Sequence, residues 1–202
     1  MAGWIKKTIR SIPGDSPGTG KVRGAVLVAD ADYIKRIYGP QVIPGICRFA
    51  REQGYILDYD DFKPMEWYPI ELRFVSLMAI KTVLNWKDDD LKFMGSKAPK
   101  YSLITRLLLR YMVDLDMLAA NIQKYWDKNY SFGVIEARHG RGVFNICIKD
   151  CPTPRQVYPY LEGFFSAVIG MVVGQKNILS FGEVRWKHIN GDCQEFAIRY
   201  RQ

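Results

Sequence analysis

The sequence has few of the residues from which metal and catalytic centres are built. It contains only two histidines, His139 and His188, and none of its four cysteines forms a CxxC pair. It also lacks a Ser-His-Asp order, a GxSxG elbow and an HExxH helix, the signatures of common hydrolases and metalloproteases. The glycine-rich run GDSPGTGK is not a phosphate-binding loop, because Thr19 stands where that loop requires glycine and Val22 follows Lys21. These absences favour a function other than catalysis.

Long apolar runs and a secretion signal are missing as well. No apolar run reaches the roughly 18 residues of a membrane span, so we expect no transmembrane helix. The basic start, MAGWIKKTIRSIPGD, has no apolar core or cleavage site, which argues against a signal peptide. Cysteines without a disulfide or zinc-ribbon spacing predict reduced thiols and a cytoplasmic protein.

Positive charge is unevenly distributed along the chain. The formal net charge is +8, and residues 1–23 carry +4 of it. The rest is spread thinly, so we expect no dedicated nucleic-acid function. Residues 1–12 place Trp4, Ile5 and Ile9 at helical spacing among cations, which indicates an arm that packs on its own domain or makes weak contact with a membrane surface.

The chain divides into a basic arm with a turn-rich linker, residues 1–23, and a single domain, residues 24–202. The first part of that domain, 24–100, is predicted to be mainly helical. It starts with a candidate strand, Gly24 to Ala29, and its clearest helix follows Pro69 and carries a wide apolar face. A short helix is expected from Asp88, with Gly95 as its end.

The second part, residues 101–202, reads as helix, hairpin, helix, hairpin. Apolar spacing predicts one long helix from Tyr101 to Trp126. A hairpin follows around the loop His139-Gly140-Arg141-Gly142, then a helix opened by Thr153-Pro154 and a second hairpin around Asn190-Gly191. The predicted fold class is α+β: an antiparallel sheet of two hairpins packed against long amphipathic helices, with a smaller helical N-terminal part.

Aromatic and aliphatic residues crowd the predicted faces of the two long helices. For each residue the plain alternative is core packing, but such faces over a four-stranded sheet could also enclose a ligand cavity. The candidate pocket residues are Leu107, Leu108, Tyr111, Met112, Phe164, Phe165 and Ile169. A candidate anion contact is formed by Arg138, His139 and Arg141, against the alternative of a solvated histidine.

Several short segments, in their order, resemble the 4-vinyl reductase domain superfamily, which also takes in haem/nitric-oxide-binding-related and Golgi-transport ligand-binding domains. The segments are Tyr130-Ser131-Phe132-Gly133, Leu161-Glu162-Gly163-Phe164-Phe165 and Asn190-Gly191-Asp192-Cys193-Gln194-Glu195-Phe196. The resemblance implies an α+β fold, a homodimer, and a hydrophobic pocket for a small molecule or an acyl chain.

The same resemblance bears on cofactors. Metal-binding members share a cysteine pair around the last hairpin, but here Trp186 stands at the first position and only Cys193 lies near the second. The haem-binding branch needs a proximal histidine and a Tyr-x-Ser-x-Arg signature, and this sequence shows neither. We therefore expect neither zinc nor haem, and no cofactor is predicted.

The sequence thus predicts a non-enzymatic, sensor-like domain that binds a small, mainly apolar ligand between helices and sheet. One alternative is a protein–protein interaction or dimerisation module without a ligand, in which the same faces are plain core. Another is a reductase-type enzyme that needs an added cofactor. Whether the chain is an enzyme stays open, with no catalytic residue to name.

Overall fold

The computed structural model describes residues 20–101, 114–151, 153–185 and 193–201, and for 181–185 and 193 it describes the backbone alone. The described part is α+β, which confirms the predicted fold class. It contains six α-helices, a two-stranded antiparallel sheet and a four-stranded antiparallel sheet.

The N-terminal part begins with strand β1 (Lys21–Arg23) and helix α1 (Gly24–Tyr38). A 3₁₀ turn (Pro40–Val42) leads into helix α2 (Ile43–Glu52). Strand β2 (Trp67–Pro69) pairs antiparallel with β1 and is followed by helix α3 (Ile70–Val83) and helix α4 (Asp88–Tyr101).

The C-terminal part begins with helix α5 (Leu115–Trp126) and strands β3 (Val134–Gly140) and β4 (Val143–Lys149). A 3₁₀ turn (Arg155–Val157) precedes helix α6 (Tyr158–Val173), and a further 3₁₀ turn (Gln175–Asn177) precedes strands β5 (Ile178–Arg185) and β6 (Cys193–Tyr200). The four-stranded sheet has the order β3-β4-β6-β5.

The candidate strand at Gly24 is wrong, because this segment opens α1. The apolar run is too short to separate a strand from a helix by itself. The buried residues continue at helical spacing through Leu27, Ala31 and Ile34, which settles the period as that of a helix. Gly24 also lies where a side chain would collide with the backbone oxygen of Lys63.

Gly95 does not end a helix, contrary to the prediction, since α4 continues to Tyr101. Its role is to let two helices cross closely: a Cβ on Gly95 would lie 2.0 Å from the backbone oxygen of Tyr160 in α6. Gly163 does the same from the other side, with a Cβ position 1.9 Å from the backbone oxygen of Lys92. The two glycines fix how deeply α6 sits against α4.

The long helix predicted from Tyr101 to Trp126 is also corrected. Residue Asp114 is extended, with φ −150° and ψ 173°, and caps α5 by accepting a hydrogen bond from the backbone N–H of Met117 at 2.7 Å. A helix begins at such a cap, so α5 starts at Leu115. The positions between α4 and Asp114 lie outside the described residues.

The first hairpin is tighter than predicted. His139 and Gly140 belong to β3, and the two-residue turn is Arg141-Gly142, with φ values of 49° and 74°. Two positive φ angles are typical of the turn that matches the twist of paired strands. The turn Asn190-Gly191 lies outside the described residues.

Two further expectations concern membranes and thiols. The stretch Arg155–Val173 is long and apolar enough to cross a membrane, but 61% of it is buried inside the protein, as in a core helix. Cys147 is disulfide-bonded, so the expectation of reduced thiols is wrong for this residue, while Cys47 and Cys151 are free.

Candidate functional site

An apolar cavity lies between α5, α6 and the inner face of the four-stranded sheet. Its volume is about 70 Å³. Most of its wall is aliphatic or aromatic. The lining residues are Leu118, Ile122, Tyr125, Trp126, Asn129, Tyr130, Ile135, Phe144, Ile146, Phe164, Phe165, Val168 and Ile169.

Simple periodicities bring these side chains to one place. On α5, Leu118, Ile122 and Trp126 recur every four residues and therefore share one face. On β4, Phe144 and Ile146 point to the same side of the sheet because side chains alternate along a strand. The α6 residues close the cavity from the opposite side.

The sequence-predicted pocket residues fall into two groups. Phe164, Phe165 and Ile169 line the cavity. The remaining candidates lie outside the described residues: Leu107, Leu108, Tyr111 and Met112. Sequence reasoning did not select Leu118, Ile122 or Trp126 for the pocket, although their four-residue spacing was visible in the predicted helix.

A buried polar cluster joins the helical part to this cavity. Arg73 of α3 donates from Nε to Asp30 of α1 at 3.2 Å and from Nη1 to the hydroxyl of Tyr130. The hydroxyl of Tyr160 donates to the other carboxyl oxygen of Asp30 at 2.8 Å. Arg73 is 4% exposed and Asp30 is 2% exposed, so this ion pair is almost entirely removed from water.

Burial dominates the proton equilibria of the cluster. It raises the pKa of Asp30 above its ordinary value, and the nearby charge of Arg73 only partly opposes this effect. Burial also raises the pKa of Tyr130 to about 12, against the lowering effect of Arg73. The pKa of Tyr160 is raised well above its ordinary value, mainly by burial. Both phenols therefore keep their protons at neutral pH.

A second cavity of about 40 Å³ adjoins the first. The two share the side chains of Trp126, Asn129, Tyr130 and Phe164 as lining residues. Arg73 lines the second cavity but not the first. The apolar space is thus bordered at one end by the polar cluster, and Tyr130 lies in both walls.

The predicted anion-contact residues do not all face one way. His139 is half-buried, stacks on Phe144 with ring centroids 6.0 Å apart, and its Nε2 lies 2.9 Å from a carboxyl oxygen of Asp116. Arg138 precedes it on β3 and so points to the opposite face of the sheet. Arg141 lies in the turn.

The lining of this cavity offers little to bind a haem. Among the described residues, its wall holds no histidine, and the lining residues with a side-chain oxygen are Tyr125, Asn129 and Tyr130. The present volume is also smaller than a porphyrin needs. A bound haem would therefore require the cavity to widen. His188 lies outside the described residues, and no group of three His, Cys, Asp or Glu side chains in the described part could hold a metal ion.

Comparisons with known proteins show which solved structures share this fold. No protein-family model and no curated protein matches the chain. Among solved structures, an H-NOX protein from S. oneidensis in the Fe(II)NO ligation state has a TM-score of 0.64 at 14% identity, with 89% of this chain and 99% of that chain covered. An Fe(II) unliganded H-NOX protein from K. algicida has a TM-score of 0.59 at 14% identity, covering 89% and 97%. The chain therefore has an H-NOX-like fold.

These findings correct two expectations. The resemblance to the 4-vinyl reductase superfamily is wrong, because the matching solved structures are H-NOX domains. The expectation that no haem is involved is overturned as well. One matching structure addresses haem distortion in the H-NOX family, with a TM-score of 0.60 at 10% identity, so haem becomes a cofactor to be tested directly.

Proposed function

We propose that this chain is a sensor-like domain that binds a small, mainly apolar molecule in the cavity between α5, α6 and the sheet. The observation that carries the proposal is the cavity itself, with a wall that is apolar except for Asn129 and two tyrosines. The H-NOX-like fold supports it, because one similar protein is in the Fe(II)NO ligation state and so carries a small ligand.

The size of the cavity indicates the size of the ligand. Its volume of about 70 Å³ is about half of the roughly 150 Å³ of an engineered apolar cavity that binds benzene. Apolar cavities lined by Leu, Ile and Phe stay dry and accept single-ring hydrocarbons. A single aromatic ring or a short acyl segment therefore enters only if the cavity widens, and it needs less widening than a larger ligand would.

A titration with isopropylbenzene, which is a single apolar ring, tests this proposal. Isothermal titration calorimetry or a thermal-shift assay should show saturable 1:1 binding to the wild-type chain. Val168→Phe introduces a ring into the cavity wall and should abolish binding. The matched control, Val172→Phe, lies one turn along the same helix outside the cavity and should bind normally. Equal binding by both variants would refute the site.

The second candidate function is gas sensing through haem, and the H-NOX-like fold favours it. The absorbance spectrum of protein produced in haem-supplemented cells would show a Soret band if haem is retained. Titration of haem into the purified chain, with Val168→Phe as the blocking variant, would then locate it. A spectrum without a Soret band and no saturable haem binding would refute this candidate.

Two further proposals concern protein partners: a homodimer, and association with another protein through the N-terminal arm. The homodimer is tested by sedimentation equilibrium of the full chain. The interaction-module alternative is tested by deleting the arm, and the deletion should end at residue 19 because Lys21–Arg23 pair with β2. Ligand binding should survive this deletion, whereas association through the arm should not.

A further inference from the structure

Tyr130 lines both cavities, and its hydroxyl lies next to Arg73. Its hydroxyl accepts from Arg73, so its own hydrogen remains available, and it donates to no atom of the described residues. The ring is fixed by stacking on Trp126, with centroids 4.3 Å apart and an interplanar angle of 29°. Its raised pKa keeps the proton in place.

Arg73 makes this hydroxyl a stronger donor than an ordinary phenol. A cation that donates to the oxygen polarises the O–H bond, and hydrogen bonds strengthen one another in a low-dielectric interior. Arg73 also has five N–H groups, of which two have partners among the described residues.

We infer that the ligand of this cavity is an apolar ring that carries a neutral carbonyl oxygen, and that the Tyr130 hydroxyl donates to that oxygen. This inference rests on the proposed function and names the chemistry of its ligand.

The described charges favour a neutral carbonyl over a carboxylate. The walls of the two cavities contain one cationic side chain, Arg73, among the described residues, and it already pairs with Asp30. A carboxylate would bring a second acid group close to Asp30 and would lose its hydration in an apolar space. A carbonyl accepts the same hydrogen bond without adding charge.

Three probes of the same branched shape isolate this feature: isopropylbenzene, acetophenone and benzoate. The test compares their dissociation constants for the wild type and for Tyr130→Phe, which keeps the stacked ring and removes the hydroxyl. The ratio of acetophenone to isopropylbenzene affinity should fall by about tenfold or more in Tyr130→Phe, since a hydrogen bond from a charge-assisted donor is lost. Using the ratio cancels the different hydration of the probes.

Benzoate should bind the wild type at least about tenfold more weakly than acetophenone. An unchanged ratio in Tyr130→Phe, or benzoate as the tightest probe, would overturn the inference. If isopropylbenzene still binds and Val168→Phe still blocks it, the proposed function survives that result. If no probe binds, both fail.

A second measurement needs no variant. The infrared carbonyl stretch of ¹³C-labelled acetophenone bound to the wild-type chain should lie below its frequency in a hydrocarbon solvent, because a hydrogen bond weakens the C=O bond. A frequency equal to that in hydrocarbon would overturn the inference even if Tyr130→Phe does not fold.

Discussion

The crossing of α4 and α6 offers the sharpest test of the fold, because it depends on Gly95 and Gly163. In Gly163→Ala the new Cβ would lie 1.9 Å from the backbone oxygen of Lys92 and 2.9 Å from the backbone nitrogen of Ser96. These atoms belong to a helix backbone and cannot rotate away, so the two helices must separate.

The magnitude follows from two opposing effects. Overpacking of this kind costs about 3 kcal/mol, the upper end of the usual range, because backbone atoms are involved. Alanine returns up to about 1 kcal/mol through its better helix propensity. Gly163→Ala and Gly95→Ala should each lose about 2 kcal/mol, which lowers Tm by about 4–8 °C in a chain of this size.

Urea denaturation followed by circular dichroism measures this loss. Gly45→Ala in α2 is the matched control, since the nearest atom to its new Cβ is a methyl group of Val83 at 3.5 Å. It should be neutral or gain up to about 1 kcal/mol. If Gly163→Ala were as stable as Gly45→Ala, the close crossing would be refuted.

Three further predictions concern the turn, a helix cap and the buried ion pair. Gly142→Ala should lose about 1–2 kcal/mol because φ is +74°, whereas Gly140→Ala, with open space around its Cβ, should change little in the same denaturation assay. Asp114→Ala should lower the free energy of unfolding by about 1 kcal/mol through loss of the α5 cap, and Asp114→Asn should keep most of the cap's contribution. In Arg73→Met, Asp30 loses the cation that opposes the raising of its pKa by burial. The native state then keeps the proton on the Asp30 carboxyl to higher pH than the unfolded chain does. The free energy of unfolding should therefore fall as pH rises from about 4 to 7, more steeply than in the wild type. Parallel slopes for the two proteins would contradict this coupling.

Local patterns were enough to predict much of the C-terminal part. The alternation in β4 and the apolar spacing in α6 have periods that only one kind of element satisfies. The segment at Gly24 failed because a short apolar run fits either element. Gly95 was read as a helix end because its actual role, a close crossing with Tyr160, exists only in three dimensions.

The candidate site, too, could be predicted from local patterns only in part. Phe164, Phe165 and Ile169 were predicted from the apolar face of one helix. The polar end of the site could not be predicted, because Asp30 and Arg73 are 43 residues apart and Asp30 and Tyr160 are 130 residues apart. Each looks like an ordinary polar residue until packing removes it from water.

Native mass spectrometry of the full chain purified from its own source tests the central claim most directly. The account predicts one retained small molecule, or haem, per wild-type chain, with the same occupancy in Val172→Phe and none in Val168→Phe. Wild-type protein without a bound molecule, or equal occupancy in the two variants, would contradict the cavity between α5, α6 and the sheet as the ligand site.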